Sequence, residues 1–227
     1  MSKVHSILAG DASAPAPRPA RQHCLRCTRP LSACICSWIT PVTSMAELLI
    51  LQHPMEVSNA KGSARLLHLS LPGSVMAVGE TFMPGELEEL LYGGERSPVL
   101  LYPETPGDHS LGLLTAPAPD SELLSEPARL RLVVIDGTWR KSRKMLYQNH
   151  ALQALPRMPL KEMPASLYRI RKAHAPDQLS TLEASCYALG QLHGNREAFE
   201  PLLAAFDRFV AHFQQTGGKL AAQPNRT

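Results

Sequence analysis

Four short runs of this chain are apolar almost without interruption, at residues 47–52, 74–78, 98–102 and 130–135. A continuous run, as opposed to strict alternation, marks a strand covered on both faces, as in a parallel sheet. Between and after these runs, segments 63–70, 85–92, 140–155, 181–193 and 197–215 repeat their apolar residues at helical steps of three and four. Strands alternating with helices predict an α/β fold around a covered parallel sheet. In the last helix Phe199, Leu202, Leu203, Phe206, Phe209, Val210 and Phe213 form one stripe, which reads as core. No internal repeat is visible.

Composition narrows the class without naming an activity. The chain has 227 residues, 44% apolar and 19% charged, a globular balance. Its low aromatic content of 5% and its 20 prolines point to an aliphatic core with long loops or tails. No apolar run reaches the ~18 residues needed to span a bilayer. Residues 1–20 are rich in Ala and Pro and lack an apolar stretch of signal-peptide length, so they read as a flexible tail and the protein as cytoplasmic. Residues 216–227 read as a second flexible tail.

The net charge of +3 is mild, but its distribution is uneven. Between residues 140 and 172 nine Lys or Arg stand against one acid, Glu162, whereas between 86 and 126 nine acids stand against Arg96. One positive face, attractive to nucleic acid, is one outcome of such a pattern; a solvated helix face is the other.

Four of the five cysteines fall within thirteen residues, Cys24, Cys27, Cys34 and Cys36, in a C-x2-C-x6-C-x-C pattern. In a cytoplasmic chain such clustering argues for metal over disulfide. Two short pairs on a turn supply the four thiolates of a structural zinc, leaving no open position for catalysis. Reduced thiols or a redox pair are the alternative. Cys186 lies in a helical pattern and reads as a small core residue.

In open parallel sheets ligands collect beyond the carboxyl ends of the strands. There the clearest strand, 130–135, runs into Asp136, Gly137, Thr138 and Trp139 and then into a basic helix. Asp136 is an acid at a strand end, Gly137 permits close backbone approach, and Trp139 offers an indole face. An Asp or Thr before a helix is equally an ordinary N-cap. Two other rims carry candidates. The segment from Gln52 and His53 to Glu56 ends the first strand, and Ser180, Thr181 and Glu183 open a helix in the form of a capping box. Tyr168, Arg169, Arg171 and Lys172 alternate cations with larger side chains, which fits phosphate contact or a half-buried edge strand.

Taken together, these residues resemble the DTW-domain family of tRNA-uridine aminocarboxypropyltransferases. The resemblance runs from about residue 21 to 215. It rests on the cysteine pattern followed by Ile39, Thr40 and Pro41, the D-x-T-W signature at Asp136 to Trp139 continuing into Arg143, Lys144 and Met145, the segment at Tyr168 to Arg171, and Ser180, Thr181, Glu183 and Ala184. It implies a knotted α/β domain of SPOUT type over residues 43–215, preceded by a zinc knuckle at 21–42. The implied reaction moves the 3-amino-3-carboxypropyl group of S-adenosylmethionine to N3 of a tRNA uridine and releases 5′-methylthioadenosine. Bacterial members are associated with position 47.

Carried over residue by residue, Asp136 and Trp139 fall at the reaction and cofactor site. Gly137, Thr138, Ser180, Thr181 and Glu183 fall around the cofactor, and Cys24, Cys27, Cys34 and Cys36 form the zinc set. Arg140, Lys141, Arg143, Lys144, Arg169, Arg171 and Lys172 would hold the tRNA backbone by charge. Some relatives open the helix after the first strand with Asn-Thr where this chain has Gly62-Ser63, so no cofactor contact is assigned there. Asp136 is either the base for N3 or an anchor for the cofactor ammonium; Trp139 packs on the cofactor or on a turned-out uracil. An RNA methyltransferase using the same cofactor and a non-catalytic RNA-binding adaptor are the rival readings. No Ser-His-Asp order, Walker loop, G-x-G-x-x-G or H-E-x-x-H is present, which leaves hydrolase, nucleotide-triphosphatase and dehydrogenase readings without support. Oligomeric state is undecided at this level.

Overall fold

The computed structural model describes residues 22–103, 116–161 and 179–216. The two expected tails (the second beyond Thr216) and the basic segment with Arg169, Arg171 and Lys172 lie outside the described residues. In chain order the elements are β1 (Glu47–Gln52), α1 (Ala64–Ser70), β2 (Val75–Val78), α2 (Pro84–Tyr92), β3 (Ser97–Leu100), α3 (Ser121–Leu124), β4 (Leu130–Asp136), α4 (Trp139–Gln148), α5 (His150–Gln153), α6 (Thr181–Leu192) and α7 (Glu200–Gln215). The four strands form one all-parallel sheet in the order β2-β1-β4-β3.

The continuous apolar strands have the cause expected of them. Successive side chains point to opposite faces, and in β1 and β4 both faces are covered, whereas β2, at the edge of the sheet, leaves Val75 and Val78 exposed. Leu48 and Ile50 of β1, with Leu132 and Val134 of β4, join the cluster built from α1, α6 and α7. Leu49, Leu51, Val133 and Ile135 join the opposite cluster with Leu87, Leu91, Met145, Leu146 and Leu152 of α2, α4 and α5. The apolar stripe of α7 is core, with Phe206, Phe209 and Val210 buried, and Cys186 is buried beside it.

Two elements depart from the periodic reading for non-local reasons. The helix expected over 140–155 breaks at Asn149, whose backbone leaves the helical region (φ −116°, ψ 90°). Its side-chain amide donates to Met145 O and Glu80 O and its Oδ1 accepts from Phe82 N, closing α4 from across the chain. The strand expected at 98–102 begins at Ser97 and ends at Leu100. There Leu100 N donates to Pro156 O and Leu100 O accepts from Met158 N, so residues after α5 cover this edge.

The strand order creates the site. β1 and β4 are neighbours, with Gln52 in register with Asp136. The helix that follows β1 packs on one face and the helix that follows β4 packs on the other. The two connections therefore diverge at the carboxyl ends of β1 and β4, which is where an open parallel sheet offers a crevice.

Candidate active site and metal centre

Asp136 ends β4 at the bottom of this crevice and is buried. Its Oδ2 accepts from Gln52 Nε2 at 2.9 Å and its Oδ1 from Thr181 Oγ1 at 2.6 Å. Its carbonyl accepts from His53 N at 2.9 Å. Three separate elements, β1, β4 and the first turn of α6, thus meet on one carboxylate.

After Asp136 the chain turns sharply into α4. A Cβ on Gly137 would stand 3.2 Å from Lys141 Cβ and 3.5 Å from Ser142 N, a tight approach that favours glycine. Thr138 is the N-cap, accepting weakly from Lys141 N at 3.4 Å. Trp139, the first helical residue, keeps half its surface exposed and sets its ring against Tyr102 (centroids 5.9 Å apart, planes at 75°), while Arg157 lies over the Tyr102 ring at 5.4 Å. The capping reading of this turn is therefore correct for Thr138. It does not account for Asp136, whose side chain points across the sheet.

Around the turn lies a layer of ion pairs. Lys141 Nζ meets the buried Glu56 Oε1 at 2.9 Å, and Glu56 Oε2 accepts from Asn59 Nδ2 at 2.8 Å. Lys144 Nζ meets Glu80 Oε2 at 3.0 Å, and Glu80 Oε1 accepts from His53 Nε2 at 2.9 Å. His53 Nδ1 in turn accepts from Met55 N at 3.1 Å, so the ring bonds as its Nε2–H tautomer. The donation by His53, reinforced by Lys144, holds the Glu80 carboxyl below its usual range. Arg140, Arg143 and Lys144 are exposed, whereas Lys141 turns inward onto Glu56.

At the opening of α6 the capping box is complete. Ser180 Oγ accepts from Glu183 N at 3.2 Å, and Glu183 Oε2 from Ser180 N at 2.8 Å. Thr181, the first residue of this helix, reaches Asp136 through its hydroxyl. Ser63, at the position where no cofactor contact was assigned, accepts from Leu182 N at 3.3 Å and ties α1 to α6.

The four clustered cysteines bring their sulfurs within 4.8 Å of one another, with Cys24 and Cys36 at 3.5 Å and Cys27 and Cys34 at 3.8 Å. Four thiolates about 2.3 Å from a common tetrahedral centre stand about 3.8 Å apart, so the set fits a zinc ion and is far too open for disulfides. The Cys24 thiol is drawn down to about 6, chiefly by the backbone N–H of Cys27, while burial pushes Cys34 and Cys36 up. A cation resolves that conflict by taking all four as thiolates. The knuckle is joined to the body. Ile35 and Cys27 are in the main core, and Trp38 packs edge-on against Phe209 at 6.2 Å. Arg29, buried, donates to Ala60 O at 3.0 Å, Asn59 O at 3.2 Å and Gly62 O at 2.9 Å.

Arg29 and Glu80 carried no signal in the pattern of the sequence. Gln52 and Glu56 were legible only as neighbours of His53 at a strand end; their partners follow from strand order.

A family model described as DTW domain matches residues 21–214. The chain is similar to the tRNA-uridine aminocarboxypropyltransferase 2 of Macaca fascicularis, with 29% identity over 209 residues, 90% of this chain and 67% of that protein. The Mus musculus protein of the same name is 28% identical over 206 residues, covering 88% and 66%. That of Drosophila melanogaster is 29% identical over 201 residues, covering 82% and 73%. This chain thus spans about two thirds of the length of the first two relatives. No solved structure matches it.

Proposed function

The chain belongs to the DTW-domain family, and from that premise we propose that it moves the 3-amino-3-carboxypropyl group of S-adenosylmethionine to N3 of a tRNA uridine, at position 47, releasing 5′-methylthioadenosine. The curated relatives named as tRNA-uridine aminocarboxypropyltransferases support the reaction class. Family membership and the all-parallel sheet support the knotted SPOUT arrangement that belongs to the proposal.

The observation that carries the reading is the setting of Asp136. Both its oxygens accept from neutral donors on neighbouring elements, beside a half-exposed indole at the carboxyl end of the sheet. Gln52 and Thr181 fix the plane of the Asp136 carboxylate, which is thereby placed to hold the ammonium of an amino-acid arm. Trp139 is the apolar wall beside it, and Gly137 keeps the turn free of a side chain. When bound, S-adenosylmethionine supplies a sulfonium whose three attached carbons are all activated. Which one reacts depends on which is aligned with the nucleophile, and an anchored arm presents its own carbon. Thr138, Ser180, Thr181 and Glu183 frame the same crevice from the two helix openings.

Zinc in this reading is structural, held by Cys24, Cys27, Cys34 and Cys36 with no open position. The tRNA backbone is held by charge at Arg140, Arg143 and Lys144, together with Arg169, Arg171 and Lys172 beyond the described residues. Lys141, paired with Glu56, serves the rim of the crevice instead. Among the described residues no helix is long and apolar enough to cross a membrane; a cytoplasmic location is proposed on the tRNA substrate.

The test uses two preparations of S-adenosylmethionine, one labelled in the methyl group and one in the carboxyl-bearing arm, with unmodified tRNA. Arm label alone in the tRNA is the expected result. Methyl label alone would overturn the reading in favour of methyl transfer. Neither label, with tRNA still retained on a filter, would leave an RNA-binding adaptor.

A further inference from the structure

The outward face of α4 carries a pattern that phosphate contact by charge does not account for. Trp139, Arg143 and Tyr147 follow one another at steps of four, and Arg140 and Lys144 flank them, so all five share one half of the helix circumference. All five are exposed, Tyr147 to 55% and Trp139 to 50%, and α4 contains no acidic residue. Among the described residues the Tyr147 side chain has no hydrogen bond, ion pair or ring contact. A half-exposed tyrosine on a helix is ordinary in itself. A second exposed aromatic residue in line with it, with cations between and beside the two, is the composition of a surface for unpaired nucleotides, where rings stack on bases and cations meet phosphates.

The end of this helix is also held fixed. Asn149 closes it through Met145 O and Glu80 O, and Gln153 Nε2 donates to the carbonyls of Leu146 and Tyr147 at 3.1 and 3.0 Å. Tyr147 therefore sits on a rigid backbone and a base stacking on it orders little else. Eight residues along a helix span about 12 Å, well beyond the ~3.4 Å between stacked bases. The two rings cannot clasp one base, and they take two different, splayed nucleotides.

We propose that the outward face of α4 is a stacking platform for single-stranded RNA, on which Tyr147 holds an unpaired base of the tRNA flanking the uridine delivered to the Trp139 end. The proposal rests on the tRNA reading above and adds a recognition element to it: the substrate region must be unpaired over more than the target nucleotide.

The test measures binding of unmodified tRNA to the full chain by fluorescence anisotropy over a salt series, for Tyr147→Ala, Tyr147→Leu, Tyr147→Phe and Arg140→Gln. Loss of one base stack weakens binding roughly five- to hundredfold in Tyr147→Ala. Tyr147→Leu, which keeps apolar bulk without an aromatic face, loses nearly as much, and Tyr147→Phe keeps wild-type affinity. The salt slope stays unchanged in all three Tyr147 variants and falls in Arg140→Gln, which removes a phosphate contact. Thermal melts matching the wild type exclude misfolding as the cause. Wild-type affinity in Tyr147→Ala, or equal loss in Tyr147→Phe, overturns the platform. The comparison needs no turnover, so failure of label to reach tRNA would defeat the transfer reading alone, while normal transfer with unaltered binding in Tyr147→Ala would defeat the platform alone.

Discussion

Asp136 is the residue on which three elements converge, and its chemistry follows from what surrounds it. One oxygen takes the amide of Gln52 and the other the hydroxyl of Thr181, which fixes the plane of the carboxylate. As an anchor for an ammonium group, its charge is what binds. Asp136→Asn is therefore expected to weaken S-adenosylmethionine binding about 10- to 100-fold, the range for a hydrogen bond to a charged group, as read by calorimetry on the unreacted protein. Retained affinity with lost turnover would make Asp136 the base for N3 instead. Glu80 gives a second, pH-dependent expectation. Its folded carboxyl is held low by His53 and Lys144, so its contribution to stability is present above the unfolded carboxylate value and is lost as pH falls through the folded one. Glu80→Gln should lower the plateau near neutrality and flatten that acid limb, so that the two proteins converge at low pH in melts recorded across the acid range.

At the scale of elements, Arg29 shows how the knuckle reaches the site. Its guanidinium holds the carbonyls of Asn59, Ala60 and Gly62, in the loop between β1 and α1. That loop region also carries Glu56, bonded by Asn59 and paired with Lys141 of α4, and Ser63, which accepts from α6. Arg29→Ala leaves three half-buried carbonyls without this donor and is expected to cost about 1–3 kcal/mol of stability in chemical denaturation. Arg29→Lys should recover little of it, since one ammonium lacks the planar fork that spans three acceptors. The elements themselves were largely legible, because β1 and β4 are buried on both faces and lose the alternation that a half-exposed strand would keep. What was not legible depends on distant partners. Asn149 breaks the helix through Phe82 and Glu80, 67 and 69 residues earlier in the chain, and the edge of β3 is set by residues that follow α5. The same holds for the site. Asp136 could be singled out as an acid at a strand end, but Gln52 becomes its partner only because β4 lies beside β1.

For the whole molecule, the sheet and the cysteine cluster share one core. Strand order places the crevice at the carboxyl ends of β1 and β4, and the layer of helices on one face of the sheet is continuous with the knuckle through Cys27, Ile35, Trp38 and Phe209. A metal bound there closes a loop of chain and holds the surface on which α7 packs. Burial raises Cys34 and Cys36, and a bound cation offsets that by favouring the thiolate of its ligands. Removing zinc with a chelator, or replacing one ligand in Cys24→Ser, should therefore loosen more than the knuckle. The expected outcome is a lower melting temperature for the whole chain in a single transition, with faster amide exchange at Arg29 and along the loop it holds. A separate low-temperature transition that left the sheet domain unchanged would mean that the knuckle folds as an independent unit, and that the packing of Trp38 and the bonds of Arg29 contribute little to the site.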